Sequence, residues 1–152
     1  MFLINIIDFI GLFLILAGFI VGLGAVIVID IHGFLGRKSG YWSEATIRTH
    51  KVTKPLIWAG IFLVIIGGFI FYRAESFTGI PLIHFIIALL LILNGLFLSF
   101  SVSPYLLQKE REGKQAEVLP KSWQRKITVS LILSDIGWWG SLAMFVFYLL
   151  TR

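Results

Sequence analysis

Residues 4–31 read INIIDFIGLFLILAGFIVGLGAVIVIDI, and the reading of this stretch decides the fold. It is an apolar run of about 28 residues, where a helix crossing a bilayer needs only ~20. It carries a carboxylate near each end, Asp8 and Asp30, and a series of small residues, Gly11, Gly18, Gly22 and Ala25. At about 100° per residue these small residues share one helical face, with Asp8 at its edge. Such a face lets a second helix come close. The segment therefore reads as a membrane-spanning helix built to pack rather than as an anchor.

The rest of the chain agrees. Of its 152 residues, 58% are hydrophobic and 14% charged, against ~45–50% and ~25% in soluble domains. There is no cysteine, which excludes disulfides, CxxC redox chemistry, thiolate metal sites and iron–sulfur clusters. The net charge is +5. No basic stretch interleaves with aromatics, so the charge reads as topology signal and not as a nucleic-acid surface. The N-terminus lacks a basic n-region and a small-residue cleavage pattern, so the first segment is expected to be retained.

Three further apolar spans follow, at 55–72, 80–102 and 127–150. The expected fold is all-α and integral to the membrane: one domain over 1–152, a four-transmembrane-helix bundle. In the connection 32–54, Gly33, Gly36 and Gly40 read as helix breakers and Ser43 as an N-cap, with a helix starting at Glu44 and Pro55 kinking it. Gly60 and Gly67, seven apart with Gly68 adjacent, read as a second packing stripe. Ser103 and Pro104 read as the end of the third span. The connection 103–126 reads as a short surface helix and a turn at Pro120. Five Lys and Arg residues fall in 32–54 and six in 103–126, against Arg73 and Arg152 on the other side. By the positive-inside rule both connections are cytoplasmic and both termini extracytoplasmic, in a bacterial-type plasma (inner) membrane.

Ionisable residues inside spans are functional candidates. Here they are Asp8, His84 and Asp135, with Asn94 as a further intramembrane polar group. Asp8 and His84 fall at similar depth from the outer side, which suggests an Asp–His pair for a metal, a proton relay or mutual neutralisation. The alternative is a solvated Asp8 and a His84 bonded to a backbone carbonyl. Asp135 lies about 12 Å from the cytoplasmic end at 1.5 Å per residue. There it is either protonated or paired. It points about 100–140° away from the small stripe Ser130, Ser134, Gly137 and Ser141, towards a different partner, another subunit among them. His32 and His50, with Asp30, form a candidate metal site at the cytoplasmic ends of the first two helices. The plainer reading is histidines hydrogen-bonded at the interface, with Asp30 in no special role. No GxSxG, HExxH, GxxxxGK[ST] or strand-borne GxGxxG occurs. Polar residues within the spans are few, so a transport path is expected to need oligomerisation.

Several short features run in a familiar order. They are Asp8, Phe9, Ile10 and Gly11 just inside the first helix, then Ala17 and Gly18, and then a basic connection. Lys54 and Pro55 open the second helix, Gly67 and Gly68 close it, and Leu82, Ile83 and His84 open the third. Over about 100 residues this resembles the small membrane families related to the copper-resistance CopD domain and to the protoporphyrinogen oxidase HemJ. The resemblance implies a helical bundle that binds heme b or porphyrin through histidines, with His84 as the third-helix ligand. Asp8 stands where such families place a first-helix histidine, and Phe85, Ile86 and Ile87 follow His84 where a basic residue is usual. Three function classes remain: a heme-, porphyrin- or metal-binding protein in a redox role; a non-catalytic membrane subunit or oligomeric scaffold; and a small proton-coupled transporter. The expected partners are the lipid bilayer and either further copies of the chain or other subunits of a membrane complex.

Overall fold

The computed structural model describes residues 5–151. The expected start of the first span at residue 4, and Arg152 of the charge count, lie outside the described residues. Four helical rods are long and apolar enough to cross a membrane, and no strand occurs among the described residues.

Helix α1 runs Ile6–Leu35 and α2 runs Gly40–Phe71. The Asn5 side chain caps α1 by accepting from the Ile7 N–H at 3.0 Å, which satisfies one of the orphan donors of the first turn. Both helices overrun the expected boundaries. Gly33 does not break α1; the helix ends only where Gly36 donates its N–H to the His32 carbonyl at 2.8 Å. Ser39, not Ser43, precedes α2. The Ser43 side chain is buried and donates to the Glu117 carbonyl at 3.1 Å, which ties α2 to the distant loop. Pro55 sits inside α2.

The third rod departs further from expectation. Helix α3, Gly79–Phe97, continues through a π-helical turn at Leu98–Val102 into α4, Ser103–Arg111. The Ser103 N–H reaches back five residues to the Leu98 carbonyl. This wider turn gives the Pro104 ring room beside the preceding turn, where a regular α-helix would clash. Ser103 and Pro104 therefore do not end the helix. Helix α5 spans Lys121–Thr151, beginning six residues before the expected 127.

At ~1.5 Å per residue, rods of 30 to 33 residues reach about 45–50 Å, against a hydrocarbon core of ~30 Å. The excess gathers at the basic end. There Ile47, Val102 and Leu106 form a second small core, flanked by Tyr105 and Trp123. Those two rings stack at 4.1 Å between centroids.

The main core runs along the spans. Ile15, Phe19 and Val26 of α1 meet Ile61 and Phe71 of α2, Leu91 of α3, and Trp138 and Phe145 of α5. In cross-section the order around the bundle is α2, α1, α5, α3. The two glycine stripes lie against each other. A methyl group at Gly18 would stand 2.8 Å from the Gly60 carbonyl oxygen, and one at Gly67 would stand 2.8 Å from the Gly11 carbonyl oxygen. Backbone meets backbone here, the close approach that small residues permit in lipid. Gly22 makes a different contact: it leaves the space that the Trp138 indole fills. The seam between α2 and α3 is much looser than that between α1 and α2.

Candidate functional site

The polar groups of the bundle fall into two sets, one near each end. At the end bearing the chain termini, Asp8 pairs with Arg73 at 2.5 Å. Arg73 also donates to the Ile70 carbonyl at 2.9 Å. His84 bonds elsewhere. Its Nε2 lies 3.1 Å from the Ser141 carbonyl oxygen and its Nδ1 lies 2.8 Å from the Tyr72 hydroxyl. A carbonyl only accepts, so Nε2 carries a hydrogen, and in the neutral ring Nδ1 then accepts from Tyr72. The expected Asp8–His84 pair is thus replaced by two separate pairings.

This arrangement bears on a heme. As arranged, His84 offers no free ring nitrogen to an iron, and Asp8 is held by Arg73. The two residues do not fit a pair of axial ligands. The carbonyl bond anticipated for His84 is present. His84 lines an apolar crevice of about 190 Å³ at the α2–α3 seam, with Phe69, Phe85 and Phe145 among its walls.

At the basic end the structure gathers what the sequence scatters. A cavity of about 250 Å³ is lined by Asp30, His50, Lys54, Asn94, Ser134 and Asp135, contributed by all four rods. The Asp30 carboxyl of α1 and the Asp135 carboxyl of α5 both line this cavity and act on each other electrostatically. Asp30 Oδ2 and His50 Nε2 are buried and have no hydrogen-bond partner among the described residues. Lys54 lies one turn after His50 on the same face of α2, its ammonium 3.5 Å from the Ser103 hydroxyl. The neighbouring polar side chains are already used. Asn94 donates to the Ser130 carbonyl at 3.1 Å and accepts from the Ser130 hydroxyl at 2.6 Å, and the Trp58 indole N–H donates to Ser99 at 3.2 Å. The reactive capacity of the cavity therefore rests on Asp30, Asp135, His50 and Lys54.

His32 takes no part. Its Nδ1 lies 2.7 Å from the Val28 carbonyl oxygen and its ring packs edge-on against Trp42 at 5.3 Å. His32 does not border the cavity that His50 lines, and no group of three or more His, Asp or Glu side chains among the described residues is placed to hold a metal ion.

Ile61, Leu91 and Trp138 border both the crevice and the basic-end cavity. They form an apolar layer between two spaces, with Trp138 braced edge-to-face on Phe19 at 6.0 Å.

Asp30 is the residue that sequence reasoning set aside. The signal was present: Asp30 continues the i, i+4 row Gly18, Gly22, Val26, all three of which are buried. Asp135 was expected to face away from its serine stripe, and its partner is α1 of the same chain. No family model, curated protein or solved structure compared with the chain matches it.

Proposed function

We propose that this chain is a multi-pass plasma-membrane protein that couples proton binding to the binding of a small amine-bearing solute, in the manner of a compact proton-coupled transporter. The observation that carries this reading is the facing pair Asp30 and Asp135 inside a cavity shared with His50 and Lys54. Two neighbouring carboxylates repel each other, and a shared proton or a bound cation relieves that repulsion. An arriving ammonium group that displaces this proton links solute occupancy to proton release. Lys54 and His50 on the opposing helix suit the polar or anionic remainder of a zwitterion. The site is complete within one protomer, so the solute-binding step needs no second copy. The layer of Ile61, Leu91 and Trp138 supports a gated path rather than an open pore. The excess of Lys and Arg at the cavity end supports placing it on the cytoplasmic side.

The test is in two stages. Infrared spectra of the purified protein, titrated upward in pH, should contain a protonated-carboxyl carbonyl band that both Asp30→Asn and Asp135→Asn remove. Liposomes loaded with a pH-sensitive dye should then show proton movement driven by a gradient of a small amine or amino acid, abolished by Asp135→Asn and retained by His84→Ala. Absence of the carbonyl band would sink the shared-proton reading. A visible Soret absorption lost in His84→Ala would favour the competing tetrapyrrole reading instead.

A further inference from the structure

A third concavity lies on the outside of the bundle, where α3 and α5 meet near the basic end. It is a shallow groove of about 310 Å³ bordered by Phe97 of α3 and by Arg125, Lys126, Val129 and Leu133 of α5. Its chemistry changes along its length. Phe97, Val129 and Leu133 are solvent-exposed apolar side chains, a surface that faces acyl chains once the bundle is in a bilayer. Arg125 and Lys126 stand at the top, just before the apolar span begins, and both are exposed. Among the described residues neither is in an ion pair, and no acidic one borders the groove. The Lys126 ammonium is held 4.9 Å from the Trp123 ring centroid, and Trp123 is itself fixed by stacking on Tyr105. The cation is thus positioned at the depth where interfacial aromatic residues sit. On the groove floor the Asn94 amide and Ser130 hydroxyl satisfy each other, so it presents no unmet polar group to an apolar chain.

We infer that this groove is a seat for one anionic phospholipid, its phosphate between Arg125 and Lys126 and an acyl chain laid along Phe97, Val129 and Leu133. Charge complementarity selects this occupant over a zwitterionic lipid: two adjacent cations with no acid bordering the groove attract an anionic headgroup, and basic pockets between spanning helices on the positive side are suited to such headgroups. The seat uses neither the carboxyl pair nor His50, so its fate and that of the transport reading are separable.

The test uses the full-length protein in mild detergent, titrated with dioleoyl phosphatidylglycerol, dioleoyl phosphatidylcholine or glycerol phosphate. The readout is lipid adducts retained in native mass spectrometry. The expected result is a single phosphatidylglycerol adduct that glycerol phosphate does not displace, with phosphatidylcholine retained far more weakly. At the general strength of one basic residue near a charged membrane surface, losing both cations in Arg125→Gln/Lys126→Gln weakens retention roughly 30-fold. Leu133→Trp, which keeps the charges and fills the groove, also removes the adduct, while Lys38→Gln/Lys121→Gln leaves it unchanged. Equal retention of both lipids, displacement by glycerol phosphate, or an equal loss in Lys38→Gln/Lys121→Gln would overturn the inference. A lipid-free dimer that Leu133→Trp dissolves would do the same, by assigning the groove to a second copy of the chain.

Discussion

Gly60→Ala adds one methyl group at the closest approach of α1 and α2, and the structure sets its cost. The new carbon would stand 2.6 Å from the Gly22 nitrogen and 2.9 Å from the Gly18 carbonyl oxygen, and would press on the Gly22 Cα. All are backbone atoms of α1, with no rotamer to change, so relief requires the helices to separate. Overpacking of this kind costs about 1–3 kcal/mol. Alanine regains at most ~1 kcal/mol of helix propensity over glycine. The net expectation is a loss of up to about 2 kcal/mol, a factor of up to roughly 30 in the folded-to-unfolded ratio. Gly68 supplies the control: a methyl there meets nothing within 4 Å, so Gly68→Ala gains the propensity without the clash. The assay is unfolding in mixed micelles by increasing dodecyl sulfate, followed by helical circular dichroism for wild type and both variants. If Gly60→Ala unfolds with Gly68→Ala at or above the wild-type midpoint, the two glycine stripes do not hold α1 to α2 as described.

Other perturbations address the polar groups. A double-mutant cycle on Asn94→Leu and Ser130→Ala, read by the same unfolding assay, should return a coupling of about 0.6–1.7 kcal/mol, the range of hydrogen bonds between helices in lipid; additive effects would mean the reciprocal pair is not formed. Trp138→Ala removes the indole that fills the space above Gly22 and opens the layer between crevice and cavity. It should cost about 3–5 kcal/mol and make dye-loaded liposomes leaky to protons, and tight liposomes would place the barrier elsewhere. Asp8→Asn breaks an ion pair whose side chains are 32% and 35% exposed. It should change stability by less than about 1 kcal/mol and leave solute-driven proton movement intact; abolition of that movement would move the working site to the outer end.

The spans and their packing faces were legible because both follow the helical period. Gly11, Gly18 and Gly22 recur on one face whatever lies opposite them. The overhangs were legible only in part. A helix from Glu44 was expected and α2 begins at Gly40, but nothing local showed that Ile47 would be buried against Val102 and Leu106. Pro104 reads as a stop in any linear scan, and its tolerance depends on the π-helical turn that precedes it. The site was half legible. Asp135 stood out as a carboxylate deep in a span. Its partner Asp30 is 105 positions away in the chain, at a depth that looked interfacial, and no local rule links the two. Asp8 drew attention by its matching depth with His84, but depth does not fix rotation about the helix axis, and Arg73 took the pairing.

Rods longer than a ~30 Å hydrocarbon core would, in a bilayer, place one bundle in two solvents. Between the headgroups, apolar side chains gain little from leaving lipid for protein, and packing with hydrogen bonding holds the helices together. Around Ile47, Val102 and Leu106 the surrounding medium would then be water, and burial there would follow the ordinary hydrophobic effect with its positive heat capacity of unfolding. The protruding part would therefore answer to urea and to cooling, while the spans would answer to detergent and bilayer thickness. Because His50 and Lys54 ride on α2 between these two regimes, loosening the aqueous part alone would unfasten one wall of the cavity while the membrane part stayed folded.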